Sequence, residues 1–199
     1  MNKIFITGIC GFLGSHLAHY FQSLGYKVYG VDNLSRKGSK KNLKVLRNKG
    51  VKIFILDLAK SDLSKFFKKK IIFKALIHCA SLTSVLDGTN KNSTELVYKN
   101  NLLSTLNSLK ICNFFKSKFI FISSSRVYSI SEIQKLKFSI KNNRFILKKN
   151  KIRGISFNGI SENFSTNPPL SFYGSSKLAS ENLVQEYCMY NKLYIFKAP

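Results

Sequence analysis

A phenol and an ammonium stand four positions apart in Tyr173-Gly174-Ser175-Ser176-Lys177, a spacing that sets both on one face of a helix. A fixed cation stabilises a nearby phenolate, and the tyrosine then becomes a base able to take a proton from a hydroxyl group. Alone, Tyr-x-x-x-Lys is a common surface pair. Upstream, however, Ser123-Ser124-Ser125 closes an apolar run, and a hydroxyl there can share a substrate oxygen with the phenol. Near the N-terminus, Gly8-x-x-Gly11-x-x-Gly14 follows a short apolar run and opens a helical pattern. Gly8 permits a tight turn, Gly11 leaves room for a pyrophosphate and Gly14 allows close helix–strand packing. The N–H groups at the start of that helix, at Phe12 and Leu13, face the phosphate charge.

Asp32 ends the second strand candidate, 18 residues after Gly14. A carboxylate there accepts hydrogen bonds from both ribose hydroxyls of an adenosine and disfavours a 2′-phosphate, so NAD is expected in preference to NADP. Arg36 is near enough to contact either a 2′-phosphate or a substrate pyrophosphate. Asn33 follows Asp32. Asp57-Leu58 and His78-Cys79-Ala80 lie at the tips of the third and fourth strand candidates, on the carboxyl edge where such sheets bind ligands. Asp57 is read either as an acceptor for the adenine amino group or as a loop carboxylate, with Leu58 and Ala80 as further cofactor contacts. His78 has no second ligand, so it is read as a packed side chain, and no metal site is expected.

The elements that must position these groups are six apolar runs of strand length, at 3–7, 27–31, 51–56, 75–79, 119–123 and 193–196. Helix signals fall at 12–24, 40–48, 61–68, 94–115 and 173–190. Runs as continuously apolar as Phe119-Ile120-Phe121-Ile122 fit strands covered on both faces, which predicts a doubly wound parallel α/β sheet of the Rossmann type. The stretch 129–170 is polar and lysine-rich and ends in Asn167-Pro168-Pro169, so it is read as a long insertion, an exposed loop or a lid whose Arg144 and Arg153 reach toward a substrate pyrophosphate. The whole of 1–199 is expected to form one dinucleotide-binding domain carrying that insertion.

With 33 Lys plus Arg against 9 Asp plus Glu, the formal net charge is +24. The lysines are scattered, without an arginine-rich arm or an aromatic RNA-binding signature. A lysine-biased composition is therefore expected, and a specific nucleic-acid partner is not. Such a surface still attracts anionic substrates. Cys10, Cys79, Cys112 and Cys188 lie far apart, as reduced thiols do. There is no uninterrupted apolar run of membrane-spanning length, and the glycine turn arrives before a signal-peptide core has room to form. A cytoplasmic chain without a membrane partner is expected.

In their order, these motifs resemble the extended short-chain dehydrogenase/reductase family of nucleotide-sugar epimerases and dehydratases. The resemblance implies bound NAD, Ser124 as the substrate-polarising hydroxyl, Tyr173 as the base and Lys177 as a contact to the cofactor ribose. It implies substrate contacts at Ser124, Ser125 and Arg126. Asn101 becomes a cofactor contact, in a helix pattern Asn-x-x-Gly-Thr-x-Asn where Ser104 replaces the glycine. Asp32 to Ser39, Ser125 to Ser129, Gly159 to Glu162 and Tyr173 to Glu181 are more narrowly similar to the CDP-paratose 2-epimerase group. That likeness implies C2 epimerisation of a CDP-sugar through a keto intermediate. Ser125-Arg126 stands where the dehydratases carry acidic residues, which points away from them. Family members continue well beyond this length, so a C-terminal substrate domain is expected to be missing, and a non-catalytic NAD-binding module is the competing reading. A homodimer stays open.

Overall fold

Alternation along the first strand already divides the core in two, because side chains on a strand point to opposite faces in turn. Ile4 and Ile6 pack with Ala18, Val28, Leu46 and Ile77 on one face, while Phe5 joins Phe73, Leu76, Leu109, Phe119, Phe121 and Val184 on the other. The computed structural model describes residues 2–61, 71–83 and 93–198. Its strands β1 (Lys3–Thr7), β2 (Lys27–Asp32), β3 (Lys52–Ile55), β4 (Ala75–His78), β5 (Lys118–Ile122) and β10 (Ile195–Ala198) form a six-stranded sheet in the order β10-β5-β4-β1-β2-β3. Every pairing in it is parallel. Helices α1 (Phe12–Ser23) and α2 (Ser39–Asn48) cover one face, and α3 (Ser93–Phe115) and α5 (Phe172–Tyr190) cover the other. This is the doubly wound Rossmann-like fold, with its switch point between β1 and β4. The helix expected over 61–68 lies, after Ser61, outside the described residues.

The insertion 129–170 departs from the expected exposed loop. It holds the short helix α4 (Ile130–Gln134) and two hairpins, β6 (Phe138–Lys141) with β7 (Arg144–Leu147) and β8 (Ile155–Ser156) with β9 (Gly159–Ile160). Asn142 and Asn143 both take positive φ, 50° and 56°, the conformation of a two-residue hairpin turn, which asparagine tolerates better than most residues. The base of the insertion is tied down where the Ser129 N–H donates to the Ser165 carbonyl at 2.8 Å and the Tyr128 ring meets Phe164 edge-on.

His78 is buried between the rings of Phe119 and Phe121. Its Nδ1 meets the hydroxyls of Thr7 and Ser108 at 2.7 and 2.9 Å, and its Nε2 meets that of Thr105 at 3.1 Å. Burial, and secondarily the charge of Lys177, pushes its pKa down to about 3. The imidazole is thus a neutral strut between β1, β4 and α3. In the unfolded chain it takes up a proton near pH 6.5, so its contribution to stability is present above that pH and is lost as pH falls toward 3. Unfolding free energy should decline by about 1.4 kcal/mol per pH unit from this group below about pH 6.5. Denaturant titrations at about pH 7 and about pH 5 should show that His78→Phe lacks this component; an equal loss in the two proteins would refute it.

Candidate active site

The carboxyl ends of β1, β2, β4 and β5 open into one cavity of about 730 Å³. Gly8 turns at φ +64°, and a Cβ there would stand 2.8 Å from the Ala80 amide nitrogen, so the turn is wedged against the end of β4. At Gly14 a Cβ would stand 2.2 Å from the Gly8 carbonyl oxygen, which is why α1 can start so close to the strand. Helix α1 is entered through Gly11, which offers no side-chain cap, whereas Ser171 caps α5 by accepting from the Gly174 N–H at 3.0 Å. The first-turn N–H groups of α1 are thus left to whatever anion enters the cavity.

Asp32 is buried, and its oxygens accept from the Cys10 N–H at 2.9 Å and the Leu34 N–H at 2.8 Å. It therefore locks the glycine turn to the end of β2 while keeping lone pairs for two hydroxyl donors. Burial, and next the Asp32 charge, pushes the neighbouring Cys10 thiol up to about 12, so it is no nucleophile. Asn33 lines the cavity, as do Arg36, Lys37 and Lys41. Asp57 accepts from the Ala59 N–H at 3.0 Å beside Leu58, whose carbonyl is held by Asn107 at 2.7 Å. Phe12, Leu13 and Ala80 complete this half of the wall.

On the other half stand Tyr173 and Lys177, both buried and one turn apart on α5. The Lys177 ammonium donates to the Ile122 carbonyl at 2.5 Å and lies 4.1 Å from the centre of the Phe121 ring. Desolvation pulls its pKa down to about 8. At neutral pH it is still a cation, with two N–H donors to spare.

Ser123, not Ser124, lines the cavity, and its hydroxyl bonds to Glu181. Ser124 caps the short helical turn Ser125–Val127, its oxygen accepting from the Arg126 N–H at 3.1 Å. Accepting there leaves the hydroxyl hydrogen of Ser124 available to donate. Ser125 and Arg126 do not line the cavity, nor do Arg144 and Arg153.

Asn101 is placed differently from a cofactor contact. Its carbonyl oxygen accepts from the Leu82 N–H at 2.8 Å and its amide donates to Ser176 at 2.8 Å, so it fastens the loop after β4 to α3 and α5; the cavity touches its neighbours Asn100 and Ser104. Of Ser123-Ser124-Ser125 the expected role fell on Ser124, and neither Glu181 nor Gly174 was given one. A Cβ on Gly174 would stand 2.1 Å from the Arg126 carbonyl oxygen, so this glycine lets α5 start against the Ser125–Val127 turn. The Tyr-Gly dipeptide and the further four-residue step from Lys177 to Glu181 were the available signals.

Fold and site together define a doubly wound dinucleotide-binding protein with a tyrosine–lysine pair beside the cofactor cleft. Residues 4–196 match the model of the NAD dependent epimerase/dehydratase family, and the chain belongs to that family, whose cofactor is NAD. It is 31% identical to the dTDP-D-glucose 4,6-dehydratase of Dictyostelium discoideum over 94% of this chain and 40% of that protein. To the CDP-paratose 2-epimerase of Salmonella typhi it is 31% identical over 72% of this chain and 42% of the relative. The UDP-glucuronic acid 4-epimerase of Bacillus cereus, solved in complex with NAD and a fluorinated UDP-glucuronic acid, superposes with a TM-score of 0.73 at 26% identity over 98% of this chain and 55% of that one. The chain thus spans about 40% of the length of these two curated relatives. Among the described residues no helix is long and apolar enough to cross a membrane, and no His, Cys, Asp and Glu cluster could hold a metal.

Proposed function

We propose that this chain holds NAD in the 730 Å³ cavity and carries the cofactor half of a nucleotide-sugar epimerase acting at C2 of a CDP-sugar through a keto intermediate. The observation that carries this reading is the convergence of the uncapped start of α1, Asp32 and the Tyr173–Lys177 pair on one cleft. The residues suit the cofactor. The N–H groups after Gly11 would hold the pyrophosphate, Asp32 the adenosine ribose, Asp57 the adenine and Lys177 the second ribose. NAD, when bound, supplies a hydride acceptor that afterwards returns the hydride.

The rest is work for the protein's own side chains. Tyr173, as phenolate, takes the proton of the sugar hydroxyl, and Lys177 stabilises that phenolate by its charge. By the family likeness, Ser124, one residue beyond the cavity-lining Ser123, would donate its free hydroxyl hydrogen to the same sugar oxygen. The C2 position and the CDP group rest on the motif likeness to the CDP-paratose 2-epimerases, and on a relative of that name at 31% identity.

Calorimetric titration with NAD, followed by incubation with CDP-paratose and inspection of the product by NMR, tests the reading. NAD binding and inversion at C2 without net NADH formation are expected. Inversion of a UDP-sugar at C4 in its place would overturn the substrate assignment. NAD binding without turnover of any nucleotide sugar would leave a cofactor-binding module, and no NAD binding would overturn the reading entirely.

A further inference from the structure

Three consecutive residues of the β5 end each hold one part of a single face of α5. The Phe121 ring lies under the Lys177 ammonium, the Ile122 carbonyl accepts a hydrogen bond from it, and the Ser123 hydroxyl bonds to Glu181. Tyr173, Lys177 and Glu181 follow one another at four-residue steps, so they share that face. The second oxygen of Glu181 lies 3.6 Å from the Lys197 ammonium on β10, and the Ser123 N–H donates to the Ala198 carbonyl at 2.7 Å. The carboxylate is mostly enclosed, with its side chain 17% exposed.

We propose that Glu181 is a positioning residue of this site: it fixes the Ser123 hydroxyl on the cavity wall and holds the negative charge that keeps the buried Lys177 ammonium cationic. The proposal rests on Tyr173 and Lys177 being the reacting pair. Among the described residues, few groups face Lys177 from the surrounding elements. His78 on β4 is neutral, because burial pushes it down to about 3. Cys79 also acts on Lys177, but burial pushes its thiol up to about 12, so it carries no charge where Lys177 titrates. Tyr173 is the partner in chemistry, and Lys197 is a cation already engaged by Glu181. Among the described residues, Glu181 is then the carboxylate opposing the desolvation of Lys177. Without it, burial alone governs, and the ammonium gives up its proton at lower pH.

The test begins on the NAD-free protein. Carbon-13 labelled lysine is titrated, and Lys177 is assigned by its loss in Lys177→Arg. In E181Q, which keeps the shape of the side chain and the acceptor for Ser123, the Lys177 midpoint should fall by about one pH unit, while E181D should restore it. Lys197→Met, which frees Glu181 from its other cation, should move the midpoint upward and serves even where E181Q fails to fold. An unmoved midpoint in the variants that fold overturns the proposal. The second readout is NAD affinity against pH: its fall above about pH 8 should begin at lower pH in E181Q. If the midpoints move as stated but the wild type binds no NAD, the role of Glu181 in setting the Lys177 charge stands and the functional reading fails.

Discussion

A Gly14→Ala chain should lose NAD affinity by at least about 100-fold, close to 3 kcal/mol of binding free energy, and should melt at a lower temperature than the wild type. The added methyl would stand 2.2 Å from the Gly8 carbonyl oxygen, 2.8 Å from the Ile9 Cα and 2.9 Å from the Gly8 carbonyl carbon. All three are backbone atoms, so no side chain can rotate away. The turn cannot retreat either, because Gly8 is already pressed on Ala80 at the end of β4. Only α1 can move, and moving it carries the phosphate-facing N–H groups out of register with Asp32. Overpacking of this kind costs about 1–3 kcal/mol of stability. Gly25→Ala is the control, since Gly25 has φ +77° but a methyl added there would meet no atom within 4 Å. That variant should lose about 1 kcal/mol of stability from backbone strain alone and keep its NAD affinity. Calorimetry on the two proteins separates close approach from strain, and a Gly14→Ala chain that binds NAD as the wild type does would overturn the role given to α1.

The sheet was legible from sequence because a parallel strand covered on both faces must be apolar throughout, and Ile4-Phe5-Ile6 or Phe119-Ile120-Phe121-Ile122 have no other place to go. That Gly8, Gly14 and Asp32 meet at one cleft was legible because the requirements are steric and local: a glycine where a Cβ would collide, a carboxylate at a strand end. What was not legible depends on contacts between elements distant in the chain. Asn101 belongs to a helix pattern that resembles a cofactor contact, yet its amide is used up between Leu82 and Ser176, a bridge that exists only once α3 and α5 have packed. Ser123 and Ser124 are adjacent and chemically identical. Which of them faces the cavity is decided by alternation at the end of β5 and by the helical turn that Ser124 caps.

The insertion shows the opposite case, in which a local signal was present and composition obscured it. Phe138-Ser139-Ile140-Lys141 and Arg144-Phe145-Ile146-Leu147 flank Asn142-Asn143, and the pairing Ile140 to Phe145 follows from a two-residue turn at those asparagines. High lysine content reads as loop, but lysine at alternate or terminal strand positions does not prevent a hairpin, because its charge stays in solvent while the backbone pairs. Arg144 then sits in a strand beside the turn and not over the cleft, which removes the expected reach toward a pyrophosphate.

Tyr173→Phe should lower turnover of the sugar nucleotide by about 10²–10⁴-fold, the range that a positioned general base supplies, with NAD affinity unchanged. The loss is confined to one oxygen. The phenyl ring still fills the buried position at the start of α5, and Lys177 still donates to the Ile122 carbonyl and rests on Phe121. Under the proposed function Lys177→Met should behave differently, because it removes the charge assigned to both the phenolate and the cofactor ribose. Turnover and NAD affinity should then fall together. The sign of the pH dependence follows from burial: Lys177, pulled down to about 8, is cationic near neutral pH and largely neutral about one pH unit above its midpoint. The advantage of wild type over Lys177→Met in binding NAD should therefore be greatest near about pH 7 and shrink toward about pH 9. Unequal effects of Tyr173→Phe on affinity and turnover, beside coupled effects of Lys177→Met, assign the proton to one residue and the charge to the other. If Tyr173→Phe turned over at the wild-type rate, the proton acceptor would have to be sought elsewhere on the cavity wall.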